Sequence, residues 1–310
     1  MYNFRTDLAL ERRDIYQKAN NLKQIDGVES TEEKINEKLK VTRVEITNRN
    51  GEKAIGKPIG NYVTIDVKNL KLAEDEDIQR ASEVVANELR KIIELHTDKH
   101  GDILVVGLGN IYVTPDALGP KVINDIEVTR HMIKYLPQYV KEGARNVSAI
   151  SPGVLGTTGI ETVEILKGIV ENIHPKLIIV IDALASRSIE RISSTVQISD
   201  TGIVPGAGVG NTRKEISQRT LGVPVVAIGI PTVVETAVLV NDSLDLFISK
   251  LQDEAKSNDY LNKLKNDDNY EEIKEVLIPK DYNLIVTPKE IDDLIENMSK
   301  IVSTGINQAI

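Results

Sequence analysis

The stretch 103–120, ILVVGLGNIYVTPDALGP, constrains the fold more than any other part of the chain. Ile103-Leu104-Val105-Val106 is a continuous apolar run, the pattern of a parallel strand covered on both faces. Gly107 and Gly109 let the backbone turn sharply where that strand ends. A polar loop then leads through Asp116 to a helix entered at Gly119-Pro120. The loop after such a strand lies at the carboxyl edge of the sheet, where open α/β sheets keep their sites. Asp116 is therefore the first candidate for chemistry.

The alternation continues along the chain. Asn146–Ile150, Leu177–Ile181 and Val223–Ile228 read as further core strands. Asp75–His96, Pro120–Tyr139, Ile160–Ile173 and Ile291–Ile306 read as helices, the first with an apolar stripe through Ile78, Ala81, Val85, Leu89 and Ile92. Asp182 follows the third strand by one residue. Val41–Ile46 and Tyr62–Val67 alternate as half-exposed strands do and form a hairpin with a long connection. Thr195–Ile198 alternates like an edge or antiparallel strand. Thr232 is a plausible N-cap for a helix from Val233, and Leu284–Val286 returns to the core.

Three segments read as peripheral. Met1–Ala9 is a short exposed arm, and Arg12–Leu39 is polar and helical in pieces, broken at Asp26-Gly27. Lys250–Lys274 is dense in charge and reads as a solvated helical excursion or a partly mobile insertion. Strands alternating with helices predict an α/β fold. Its mostly parallel, twisted sheet carries helices on both faces, with a peripheral hairpin and the polar insertion added. The expected organisation is an arm over residues 1–7 and one domain over 8–310, with the insertion at 250–280.

Composition narrows the function. With 4% aromatic residues and no Trp, the core must be aliphatic. The absence of Cys removes disulfides, thiolate metal sites and Cys nucleophiles together. A net charge of −9 argues against nucleic-acid binding through the overall field. The N-terminus has charges throughout and no apolar core, so no signal peptide is expected, and no apolar run approaches the ~20 residues of a membrane span. A soluble cytoplasmic protein is the expectation.

Two aspartates that each follow a core strand, Asp116 and Asp182, converge in one crevice if their strands are neighbours. Carboxylates that share a site split their pKa values, so one holds a proton while the other activates water. An Asp at a strand end also caps helices and turns chains, and spacing alone leaves both readings open. Gly107-Leu108-Gly109 begins like a dinucleotide fingerprint, but Tyr112 stands where the third glycine is needed. The loop around Gly206 and Gly208 (GAGVGNTRK) lacks Walker spacing, though its N–H groups suit an oxyanion or a substrate backbone. None of the four histidines, His96, His100, His131 and His174, has metal-binding spacing, so no metal or cofactor is expected. Ser151, Ser186 and Ser188 lie near loop ends, but no G-x-S-x-G elbow is present.

Five ordered motifs, GLGNIYVTPDALGP, SPGVLGTTGIET, VIDALASRS, PGAGVGNTRKEIS and AIGIPTVVETA, together with FRTDLALE and IVTPKEIDDLIENMSKIVSTGIN, resemble the germination protease family over essentially the whole chain. The resemblance implies an atypical aspartic-type endopeptidase of small acid-soluble spore proteins, similar in fold to hydrogenase-maturation peptidases. It implies a homotetramer in the spore or forespore interior, without direct contact to nucleic acid or membrane. The family's two essential aspartates correspond to Asp116 and Asp182. It is made as a zymogen that processes itself, and the matching cut here lies between Asp7 and Leu8. The propeptide would be Met1–Asp7, shorter than the family's usual one. Glu235 stands where many relatives have Asp and is given no catalytic role. Asn110, Gly153, Gly206 and Gly208 are expected to serve substrate or oxyanion binding. The alternatives are a metal-recognising maturation peptidase of the same fold, which needs a His beside the carboxylates, and a non-catalytic nucleotide-binding protein.

Overall fold

The computed structural model describes residues 6–68, 70–206, 213–254 and 284–310. Its strands are β1 (Val28–Lys34), β2 (Leu39–Ile46), β3 (Gly60–Val67), β4 (Ile103–Gly107), β5 (Val147–Ile150), β6 (Leu177–Ser186), β7 (Thr195–Ser199), β8 (Val225–Glu235) and β9 (Ile285–Val286). They form one mixed sheet in the order β1-β2-β3-β7-β8-β6-β4-β5, with β9 joining β8 off that path. The expected parallel core is β5-β4-β6-β8. The expected hairpin, β2 and β3, is not separate from it: β7 joins the two antiparallel, so the wing continues the same sheet.

Helices cover both faces because side chains alternate along each strand. Ile103, Val105, Ile179, Ile181, Val226 and Ile228 pack on one side with α3 (Asp75–His96), α4 (Leu118–Asn124) and the last helix, α10 (Ile291–Ala309). Leu104, Val106, Ile178, Val180 and Val225 pack on the other with α7 (Thr162–Ile173) and α8 (Gln218–Leu221). A third cluster places α1 (Ala9–Asn20) and α2 (Arg49–Ile55) on the wing, around Val44, Ile46 and Tyr62.

Several elements depart from the sequence reading. The polar segment Val28–Lys34 is a strand rather than helix. It is an edge strand, exposed along nearly its whole length, so pairing with β2 rather than an apolar face defines it. The single helix expected over Pro120–Tyr139 is two, α4 and α5 (Arg130–Tyr135). Asn307 of α10 accepts from the Glu127 N–H at 3.0 Å and donates to the Asp125 carbonyl at 2.8 Å. Thr129 Oγ1 bonds Arg145 O and Val147 N–H at 2.5 and 2.8 Å. The Asn307 bonds take two backbone groups that a continuous helix would use.

The core strand expected to end at Ile228 instead runs through Gly229-Ile230-Pro231-Thr232 to Glu235. Thr232 is therefore no N-cap, and Glu235 ends a strand instead of starting a helix; α9 follows as Thr236–Glu254. Pro231 pairs with Leu184 and Val233 with Ala185, which leaves Thr232 as an extra, bulged residue beside a proline that has no N–H to give the ladder. Leu284 and Ile285 are 44% and 45% exposed, so this segment lies on the rim rather than in the core. Of the expected polar insertion, residues 255–280 lie outside the described residues.

Among the described residues no helix is long and apolar enough to cross a membrane.

Candidate active site

Strand order places the site. From β4 the chain moves to β5 on one side and, later, to β6 on the other. That reversal opens a crevice at the carboxyl ends of β4 and β6, where open sheets bind ligands.

Asp116 reaches the crevice on a tightly closed loop. Its N–H donates to Val113 O at 2.8 Å, and the Asn110 N–H donates to its carbonyl at 3.1 Å and to its carboxylate at 2.8 Å. Gly109 makes this closure sterically allowed: at φ +113°, a Cβ there would lie 2.0 Å from Asp116 O. Gly107 and Gly119 are consumed in packing rather than in cradling a phosphate. A Cβ on Gly107 would meet Gly119 O at 2.2 Å, and that contact sets α4 directly on β4.

Asp182 was expected just past the end of its strand, and it lies inside one. β6 pairs with β4 only as far as Gly107↔Ile181, while its pairing with β8 continues to Ser186↔Val234. Asp182 is thus the first residue of β6 beyond the end of β4, with one flank open to the crevice. Its side chain is 6% exposed and accepts from the Ala183 N–H at 3.0 Å.

Both carboxylates line one cavity of about 310 Å³. Burial raises the Asp116 pKa, partly offset by the Asn110 N–H. Burial pushes Asp182 up much further, and the neighbouring charges of Asp116 and then Asp7 add to it. Of the two, Asp116 is therefore the first to ionise, and Asp182 keeps its proton to higher pH.

Of the N-terminal arm, the described residues 6–9 are buried and Asp7 lines the same cavity, which corrects the expectation of an exposed segment there. Thr6, Leu8 and Ala9 are each 0% exposed. Asp7 is tied twice to Ala185 of β6: its N–H donates to Ala185 O at 3.1 Å, and its side-chain carboxylate accepts from the Ala185 N–H at 3.1 Å. Glu11 accepts from the N–H groups of Arg187 and Ser188 at 3.0 and 3.3 Å, and Arg12 donates to Thr6 O and Gly56 O at 2.9 and 2.8 Å. Burying Leu8 contributes on the order of 1.5–3 kcal/mol more.

One contact of the arm escaped the sequence reading. Gln197 on β7 is 6% exposed; its Oε1 accepts from the Ala9 N–H at 2.7 Å and its Nε2 donates to Asp7 O at 3.3 Å. The alternation of TVQIS was the available signal. Val196 and Ile198 join the apolar core, while the polar face of Thr195, Gln197 and Ser199 is buried instead of solvated.

Of the other expected residues, Gly153 and Gly206 line the cavity, with Arg213 and Lys214 beside them. Gly208 lies outside the described residues. Asn110 is not among the lining residues; its Oδ1 accepts from the Tyr112 N–H at 3.0 Å, and its service to the site is the N–H held on Asp116. None of the four histidines lines the cavity. His96 stands 3.4 Å from Asp200, and His174 ends α7 at φ +51°. Ser186 Oγ donates to Ser188 O at 2.8 Å.

A family model described as "Germination protease" matches residues 6–266 and 258–310. The chain belongs to the germination protease family. The germination protease of Clostridium perfringens is 50% identical, over 100% of this chain and 96% of that protein. That of Caldanaerobacter subterraneus is 49% identical (99% and 94%), and that of Priestia megaterium 44% (100% and 94%). Family membership makes the chain a peptidase linked to spore germination. Among solved structures, the [NiFe] hydrogenase maturation protease HycI from Thermococcus kodakarensis is 19% identical. That match covers 46% of this chain and 80% of that one, at a TM-score of 0.28, too slight a likeness to carry an argument.

Proposed function

We propose that this germination-family peptidase degrades small acid-soluble spore proteins and processes its own N-terminus between Asp7 and Leu8, using Asp116 and Asp182 to activate water. The observation that supports it is the meeting, in one cavity, of two carboxylates with unequal hold on a proton and the chain's own Asp7. Asp116, the first to ionise, accepts a proton from water. Asp182, kept protonated, gives its proton to the departing nitrogen. The loops bearing Gly153 and Gly206 flank the path of the substrate.

In this reading the buried arm is a substrate already seated, and Met1–Asp7 is the propeptide. Leu8, Glu11 and Arg12, next in sequence, hold the chain in place beyond the cut. The homotetramer and the spore-interior location belong to the same reading and rest on the family alone.

Intact mass of the purified full-length chain, followed over time beside Asp182→Ala, tests the proposal. Loss of residues 1–7 in the wild type only is the expected result. Equal loss in both would assign the cut to another protease and leave Asp182 without a role.

A further inference from the structure

We propose that Gln197 is the residue that grips the peptide across the bond to be cut, holding the carbonyl oxygen on one side and the chain direction on the other. The inference rests on the reading that Asp7–Leu8 is that bond. The Asp7 carbonyl belongs to the bond itself, and the Ala9 N–H belongs to the second residue beyond it. Gln197 meets both, at 3.3 Å through Nε2 and 2.7 Å through Oε1. The two partners fix the orientation of the amide. A main-chain N–H only donates and a carbonyl only accepts, so Oε1 must face Ala9 and Nε2 must face Asp7.

The sheet register explains why a residue of β7 meets the products of β4 and β6. Asp182 pairs with Gly229, and Gly229 pairs with Gln197. Residues in one such row project to the same face. Two strand spacings put the Cα atoms of Asp182 and Gln197 about 10 Å apart. Asp7 lines both the cavity of the carboxylates and the neighbouring one lined by Gln197, and its carbonyl accepts from Gln197.

The step balances without a further reactant. A water oxygen bonds to the Asp7 carbonyl carbon and its proton passes to Asp116. The carbonyl π pair moves to the oxygen facing Gln197 Nε2, which gains most when that oxygen is charged. Collapse breaks the C–N bond, and Asp182 supplies the proton to the Leu8 nitrogen. The products are the Asp7 carboxyl group and the Leu8 amine. A donor aimed at developing charge stabilises the transition state more than the ground state.

The test is the first-order rate at which the full-length chain loses residues 1–7, followed by intact mass, for the wild type, Gln197→Leu and Gln197→Glu between pH 4 and 8. Gln197→Leu is expected to slow processing by about 10²–10³-fold, the usual effect of losing one such donor. Gln197→Glu discriminates a donor from a packing role. Its ionised carboxylate accepts from Ala9 but has nothing to donate to Asp7, whereas the protonated acid does both. Its rate relative to wild type should therefore fall at neutral pH and recover as pH is lowered.

A Gln197→Glu ratio that stays flat with pH, or a wild-type rate in either variant, overturns the proposal. If Gln197→Leu fails to fold, the pH ratio of Gln197→Glu decides alone. A wild-type chain never cut after Asp7 removes the parent reading instead. A wild-type chain cut there, with variants cut equally fast, removes only the role of Gln197.

Discussion

At the scale of single residues, Asp182 is where stability and chemistry oppose each other. Its pKa is raised well above the ordinary 3.8 by burial and by Asp116 and Asp7. Below that ordinary value both folded and unfolded chains hold the proton. As pH rises through it, the unfolded chain releases its proton while the folded chain keeps it, so stability falls until the folded carboxyl ionises. Asp182→Asn removes this loss. Its urea midpoint should exceed that of the wild type at pH 8, with the gap closing toward pH 4; a gap independent of pH would show that burial of this carboxyl carries no linked proton. Gly109→Ala tests the loop on the other side. A Cβ 2.0 Å from Asp116 O at a positive φ has no room, so the loop must open and release the carboxylate from Asn110. A loss of about 1–3 kcal/mol in unfolding free energy is expected, with most of the peptidase activity.

At the scale of elements, the legible parts were those whose local pattern and tertiary role agree. The run Ile103–Val106 and the stripe of α3 are apolar where they are buried, and both fall where their periodicity placed them. β1 was not legible because an edge strand with both faces exposed has no apolar period to read. The break between α4 and α5 was hidden for a different reason. It is made by Asn307, about 180 residues away, whose side chain satisfies two backbone groups of the corner. Asn307→Ala should cost about 1 kcal/mol, read by chemical denaturation, while processing is unaffected because the corner lies outside the cavity. A loss of activity with no change in stability would instead tie this corner to the site. The strand read as ending at Ile228 runs on through Pro231, although proline interrupts a ladder. The bulge at Thr232 absorbs the missing N–H, and β8 continues for three more residues to Glu235.

At the scale of the whole molecule, the site is assembled from the centre of the strand order and from the chain's own start. Asp116 and Asp182 were reachable from sequence because each stands after an apolar core run, and the topology that makes β4 and β6 neighbours brings them together. The burial of Thr6–Ala9 was not reachable, since its partners Ala185 and Gln197 come 178 and 190 residues later. A chain lacking residues 1–7 should cut added small acid-soluble spore protein without the lag shown by the full-length chain. Equal progress curves would mean that the seated arm does not block the cavity. The central claim is that Asp116 and Asp182 act as one unit, and the most direct measurement is kcat/KM on such a substrate for Asp116→Asn, Asp182→Asn and the double variant. Each single change should lower the rate by about 10²–10⁴-fold, and the double should fall little further than the worse single. A single variant at the wild-type rate, or a double whose loss is the product of the two, would contradict the account.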